Sequence, residues 1–250
     1  MSREKWVMGN WKMNGSSASI QALLASIITE YPRGLDASCV VFPPSIYLAM
    51  VSKELQSTPI QWGAQNVHCK QAGAYTGELS CTMLREFDCR CVLIGHSERR
   101  HGLHEDEKFI AEKYHQSKEH GIIPVLCVGE TRRERDDGLM RDVIARQIRS
   151  VFSESQNDFK SCVIAYEPVW AIGTGLHAGA EEAQEAHAFI REVVAEKNEH
   201  DAHAVSIIYG GSVNESNAKA LFSQPDIDGG LVGGASLNAR QFLEILKCIK

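Results

Sequence analysis

Ser161-Cys-Val-Ile-Ala-Tyr-Glu-Pro-Val-Trp-Ala-Ile-Gly-Thr-Gly175 is the stretch on which the fold turns. Cys162, Val163, Ile164 and Ala165 form a short continuous apolar run, the pattern of a strand buried on both faces. Strands of that kind belong to parallel sheets, whose crossover helices cover both sides. Glu167 stands at the carboxyl end of the run, with Pro168 directly after it. Proline donates no ladder hydrogen bond and holds the preceding residue extended, so the strand stops with a carboxyl group at its tip. Residues 169–175 then mix Val169, Trp170 and Ile172 with glycines on both sides of Thr174. This composition predicts a lid that closes its apolar side over a ligand and turns glycine amides towards an anion.

Outward from that stretch, the same unit recurs in both directions. Apolar runs lie at residues 5–11, 39–42, 60–64, 91–94, 122–128, 162–165, 205–209 and 230–232, eight in all, spaced as β-loop-α-loop units require. Helical stripes fall between them. Ile20, Leu23, Leu24, Ile27 and Ile28 follow the i, i+3, i+4 rule, with Ser16 or Ser17 as N-cap. Further stripes run from Leu139 to Phe152, from Ala183 to Val194 and from Phe242 to Ile249. Weaker helices are expected over 109–120, closed by Gly121, and over 81–87. No Pro- or Ser-rich linker divides the chain. The expectation is a single α/β domain over residues 1–250, its strands closed into a (β/α)8 barrel.

The totals narrow the function. The 250 residues are 44% hydrophobic and 23% charged, ordinary globular values. A net charge of −6 argues against a nucleic-acid surface. No stretch approaches the ~18 apolar residues of a membrane helix. Met1-Ser-Arg-Glu-Lys-Trp-Val has no apolar core, so no signal peptide is expected. The eight cysteines form no Cys-x-x-Cys pair, and Cys39, Cys91, Cys127 and Cys162 sit in apolar runs. A reduced, cytoplasmic, metal-free protein without a cofactor is expected. His101 and His104 have helical i, i+3 spacing, but no Cys or acid is placed to complete a metal site.

In a parallel barrel every strand's carboxyl end opens on one face, so the residues at those ends meet. The first run ends Gly9-Asn10-Trp11-Lys12 and the fourth Gly95-His96-Ser97-Glu98. The fifth ends Cys127-Val128-Gly129-Glu130 and the sixth at Glu167. The seventh gives Gly210-Gly211-Ser212 and the eighth Gly233-Gly234-Ala235-Ser236. Glycine pairs on two adjacent strands let backbone amides approach a phosphate, and Gly173 on the lid adds a third contribution. Lys12 is the cation beside that anion. His96 ends a strand at a helix start, where the dipole disfavours the imidazolium and leaves a neutral hydrogen-bond donor. One carboxyl base, one histidine, one lysine and an amide around a phosphate cradle can move protons on a small phosphorylated carbonyl compound through an enediolate. A glycosidase using Glu98 and Glu167 would have no use for the cradle, and a non-catalytic scaffold no reason to hold Glu167, His96 and Lys12 together.

Five motifs resemble those of the triosephosphate isomerase family: Gly-Asn-Trp-Lys-Met-Asn (9–14), Ile-Gly-His-Ser-Glu-Arg-Arg (94–100), Ala-Tyr-Glu-Pro-Val-Trp-Ala-Ile-Gly-Thr-Gly (165–175), Tyr-Gly-Gly-Ser-Val (209–213) and Leu-Val-Gly-Gly-Ala-Ser-Leu (231–237). The resemblance implies that family's TIM barrel and the interconversion of D-glyceraldehyde 3-phosphate and dihydroxyacetone phosphate, in glycolysis and gluconeogenesis. It implies Glu167 as base, His96 as neutral electrophile, and Asn10 and Lys12 as holders of substrate and developing charge. Gly173, Ser212, Gly233 and Gly234 would bind the phosphate, and Glu98 and Cys127 would support the site. Ala72-Gly-Ala-Tyr-Thr-Gly-Glu78 resembles the loop that inserts into a second subunit. A homodimer is implied, with Gln65, Tyr75, Thr76 and Arg99 at its interface.

The chain departs from the family pattern where Lys-Thr-Ala-Thr-Pro commonly follows the lid: it has Leu176-His-Ala-Gly-Ala180. The helix start loses its Thr-Pro cap, for which glycine is a looser substitute. A more mobile hinge is expected, altering lid opening rather than chemistry. Replacing Gly179-Ala180 by Thr-Pro should slow lid opening, read by relaxation-dispersion NMR; unchanged rates would refute this reading.

Overall fold

A computed structural model of the protein describes residues 3–155, 158–171 and 179–249. Its strands are β1 (Trp6–Asn10), β2 (Ser38–Phe42), β3 (Ile60–Ala64), β4 (Cys91–Ile94), β5 (Ile123–Val128), β6 (Val163–Tyr166), β7 (Ser206–Tyr209) and β8 (Gly229–Val232). All pair in parallel and in sequence order, and β8 returns to β1 to close the barrel. The expected (β/α)8 barrel is the fold.

Around it lie α1 (Ser17–Thr29), α2 (Leu48–Leu55), α3 (Cys81–Glu86), α4 (Ser97–Gly102), α5 (Glu107–Glu119), α6 (Arg132–Asp136), α7 (Met140–Arg149), α8 (Ala180–Lys197), α9 (Glu199–Ala204), α10 (Ala218–Phe222) and α11 (Ala239–Lys247). The strongest stripes gave the long helices. Ser16 caps α1 in a reciprocal pairing with Ser19, and Ile20, Leu24 and Ile27 are its buried face. Gly121 follows α5 with φ 69°, the left-handed position expected there. Short helices such as α2, α6, α9 and α10 carry too few turns to show a period, so they stood out less in the sequence.

Continuous apolar runs are needed because each strand faces two cores. Trp6, Met8, Phe42, Leu93, Val125 and Leu231 fill the barrel, while Val7, Val41, Val92, Leu126, Ile164 and Ile207 pack under the helices. Gly63 in β3 makes room for that filling: a Cβ there would lie 2.4 Å from the Cys91 carbonyl and 2.5 Å from Phe42. Among the described residues no helix is long and apolar enough to cross a membrane. All eight cysteines are free, and only Cys248 is not buried.

The seam between β8 and β1 has a clasp. Asp228, wholly buried, accepts from Arg3 Nε at 2.9 Å, Lys5 Nζ at 3.0 Å and the Ile207 amide at 3.1 Å, while its carbonyl accepts from the Trp6 amide. A carboxyl out of water is tolerated when so many donors surround it.

Behind the neighbouring strands His187 of α8 is also wholly buried, against the rings of Tyr166 and Tyr209. Its Nδ1 lies 3.2 Å from the Asp226 carbonyl, and Nε2 has no partner among the described residues. Burial pushes its pKa down to about 4, against smaller opposing effects from Asp226 and Asp228, with Arg191 adding to the depression. The unfolded chain protonates this histidine near ~6.5 and the native state only near the lower value, so stability falls as pH falls through that window. Wild type should therefore lose about 2–3 kcal/mol more between pH 7 and 4.5 than His187→Gln, measured by urea unfolding. Equal losses would refute the assignment.

Candidate active site

The carboxyl ends of the strands surround a cavity of about 410 Å³ lined by Asn10, Lys12, His96, Glu167, Ser212, Gly233 and Gly234, among others. Every expected site residue within the described segments is there. Gly173 lies outside the described residues, as do Leu176, His177 and Ala178 of the departing hinge. Gly179 precedes α8 and offers it no side-chain cap.

Glu167 follows β6 directly. Its amide bonds the Val128 carbonyl at 2.7 Å, so the ladder to β5 runs on to the residue that matters. The residue is 2% exposed. Oε2 accepts the Ser97 amide at 2.9 Å and Oε1 lies 3.2 Å from His96 Nε2. Two glycines give this residue its room. A Cβ on Gly129 would fall 1.9 Å from the Glu167 carbonyl oxygen, and one on Gly210 would fall 2.9 Å from its Cγ.

His96 leaves β4 through Gly95 and caps α4. Its Nδ1 accepts the Glu98 amide at 3.2 Å. A ring nitrogen that accepts carries no proton, so the neutral tautomer has its N–H on Nε2, the atom facing Glu167. The chain's own turn thus aims the donor.

Lys12 has φ 51°, unusual outside glycine. Two bonds hold that conformation: its amide donates to Asn10 Oδ1 at 3.0 Å, and its carbonyl accepts from Gln65 Nε2 at 2.8 Å. Gln65 also reaches the Phe42 carbonyl at 2.8 Å. The ammonium pairs with Glu98 Oε1 at 2.6 Å. Glu98 is engaged by Lys12 and exposed, so it does not form with the buried Glu167 the carboxyl pair a glycosidase needs.

Opposite Lys12 are the two glycine turns. Asn217 Nδ2 ties down the Ser212 carbonyl at 2.9 Å, and Ser236 ties the Gly233 carbonyl through both its hydroxyl, at 2.6 Å, and its amide, at 2.9 Å. Gly234 opens a short 3-10 turn to Leu237. A Cβ built on it meets nothing within 4 Å, and one on Gly233 meets only Lys12 Cε at 3.7 Å. The space above both is open to a ligand that Lys12 also reaches.

Cys127 lies in the barrel filling below. Burial, and then the nearness of Glu167, pushes its thiol pKa well up. It is a packing group here and not a nucleophile. Glu130 is likewise wholly buried, accepting from Tyr166 Oη at 3.2 Å, Trp170 Nε1 at 2.9 Å and Arg135 Nη1 at 3.0 Å. Arg135 stacks on the Trp170 ring and also pairs with Glu182 of α8.

The residues expected at the strand ends line one cavity, while the groups that hold them were not evident in the sequence. The Ser97 amide, the Gln65 bonds, the Glu130 group and the outer wall of Asn14, Asn214 and Gln241 were not foreseen in these roles. Only Gly129 carried a signal, as a glycine at a strand tip. Beside the active cavity a second hollow of about 420 Å³ runs past Lys12, Met13, Gln65, Gly77 and Arg99. Its surroundings expose Met13 (95%), Ile46 (79%), Leu103 (61%) and Tyr75 (44%), a concentration of apolar surface beside the 72–78 loop. Among the described residues no group of three or more His, Cys, Asp or Glu is placed to hold a metal ion.

A model of the triosephosphate isomerase family matches residues 5–249. The triosephosphate isomerase of Legionella pneumophila strain Lens is 58% identical over 249 residues, 99% of either chain. Those of Haemophilus ducreyi and Nitrosomonas eutropha are 49% and 48% identical, covering 99% and 98% of this chain and 97% and 98% of theirs. Barrel, cavity and full-length likeness agree, and the chain belongs to the triosephosphate isomerase family.

Proposed function

We propose that the protein interconverts D-glyceraldehyde 3-phosphate and dihydroxyacetone phosphate by proton transfer through an enediolate. The observation that carries this reading is the meeting of Glu167 and His96 Nε2 at 3.2 Å on the floor of a cavity whose wall is a glycine phosphate cradle. Glu167 takes the proton from the carbon beside the carbonyl and returns it to the neighbouring carbon. His96 donates its Nε2–H to the oxygen on which charge develops, a donor already aligned before substrate arrives. Lys12 and Asn10 hold the substrate and compensate that charge. Backbone amides at Ser212, Gly233, Gly234 and Gly173 receive the phosphate. Such a proton shuttle calls for no cofactor. The 97–99% coverage of relatives in both directions supports one catalytic domain over residues 1–250. Cysteines free and mostly buried support a reducing, cytoplasmic location, where glycolysis and gluconeogenesis would use it.

The working form in this reading is a homodimer in which the 72–78 loop of one subunit enters the hollow beside Met13 and Gln65 of the other. Support comes from the exposed Met13, Ile46 and Tyr75, and from Gln65 linking that hollow to Lys12 through one 2.8 Å bond. Thr76 sits at the exposed loop tip, and Arg99, paired with Glu105 at 2.7 Å, lines the receiving wall.

Glu167→Gln should lower kcat by about 10²–10⁴-fold with little change in KM, in an assay coupling isomerisation to a dehydrogenase. Retained turnover would remove Glu167 as base. Met13→Glu with Tyr75→Glu should give monomers by sedimentation, with kcat reduced about 10²-fold through loss of Lys12 positioning. A fully active monomer would separate the site from the interface.

A further inference from the structure

The pole opposite the active face, where the strands begin, holds two adjoining cavities that the chemistry above does not use. One, of about 390 Å³, is lined by Arg90, Lys118, Lys160 and Ser161 over Ile122 and Ile123. The other, of about 560 Å³, shares Arg90, Lys160 and Ser161 and passes over Trp6 and Phe159 to Asp201.

The basic side chains of this wall converge on one hollow. Arg3, Arg99, Arg100, Arg135 and Arg191 each face a carboxyl group. Among the described residues neither Arg90 nor Lys160 has an ion-pair partner, although both line the same hollow. Lys118 donates to the carbonyls of Asp158 and Lys160 at 2.5 and 2.6 Å, which fixes the backbone that carries Lys160 and adds a third positive charge. Acids also lie close by: Asp158, buried and 3.6 Å from Lys197 Nζ, and Asp201 in the larger cavity itself. Glu4, exposed, lines the larger cavity and accepts from Ser38 Oγ at 2.6 Å, and Asp88 borders a shallow groove beyond Arg90.

Asp201 supplies an independent observation. It is 5% exposed, lines the larger cavity, and its Oδ2 is buried with no hydrogen-bond partner among the described residues. A buried acceptor left unmatched is uncommon in a folded protein and marks a place for a donor. Cations on one wall, an unmatched acceptor deeper in and an apolar floor of Trp6, Phe159 and Ile123 together describe a ligand with anionic groups and a hydroxyl. Guanidinium suits both carboxylate and phosphate through its planar fork.

We propose that this pole binds a small hydroxylated polyanion, its acid groups on Arg90 and Lys160 and its hydroxyl donating to Asp201. The site is separate from the active face and does not depend on the reaction assigned there.

The test is site-resolved amide NMR on the intact protein, titrated with citrate and, separately, with 2,3-bisphosphoglycerate. Binding should shift signals at Arg90, Ile123 and Ser161. A response to either compound supports the proposal, and the stronger one says whether carboxylate or phosphate is preferred. Arg90→Gln with Lys160→Gln should weaken binding about tenfold or more while isomerase turnover stays at the wild-type level. Tricarballylate, which is citrate without its hydroxyl, should bind more weakly than citrate, and Asp201→Ala should erase that preference. If Asp201→Ala does not fold, the comparison of the two acids on wild type still decides the role of the hydroxyl. No binding at millimolar concentrations, shifts confined to the active face, unchanged affinity in the double variant, or equal affinity for the two acids would each overturn the proposal.

Discussion

Parallel closure is the constraint from which the rest of the molecule follows. A strand in a closed parallel barrel has neighbours on both sides and packing on both faces, so its only free positions are its two ends. All carboxyl ends share one pole. Residues far apart in sequence, Asn10, His96, Glu167 and Gly233, therefore become neighbours without any long-range signal of their own. The ladder then sets their precision. Glu167 is still bonded through its amide to the adjacent strand, so its carboxyl is carried by sheet geometry and not by a free loop.

The same constraint explains why so much was legible in the chain. Buried strands have to be apolar throughout, so they read as bare runs; residues 162–165 are one such run, and β6 (Val163–Tyr166) is what it became. Site residues stand where each run breaks. Supports were harder to see because they act through backbone atoms or across the barrel. The Ser97 amide that holds Glu167 is identical in sequence terms to any other amide, and Gln65 acts on a carbonyl 53 positions away. His187 shows the converse limit. Its place four residues after Ala183 and three before Ile190 puts it on the apolar stripe of α8, but only the packing of that helix shows its ring against Tyr166 and Tyr209.

Electrostatics divides the two poles. On the active face each charge near the floor is matched: Lys12 by Glu98, Glu167 by an amide and an imidazole, Glu130 by three donors. Matched charges hold fixed positions, which is what a transition state requires of groups that must not reorganise. At the opposite pole, among the described residues, Arg90 and Lys160 have no ion-pair partner and Asp201 Oδ2 has no hydrogen-bond donor. Arrangements of the first kind suit chemistry, and those of the second suit occupancy by something from outside.

The Asp228 clasp bears on how the molecule comes into being. Lys5 and Asp228, joined at 3.0 Å, stand 223 positions apart. On a ribosome the first strand emerges long before its second neighbour exists, and its outer backbone groups must wait through the synthesis of almost every other unit. Closing so large a loop is entropically unfavourable until many contacts form at once. The barrel is thus a ring whose last stitch lies at its beginning, and the vulnerable interval of its life is the one before Asp228 is made.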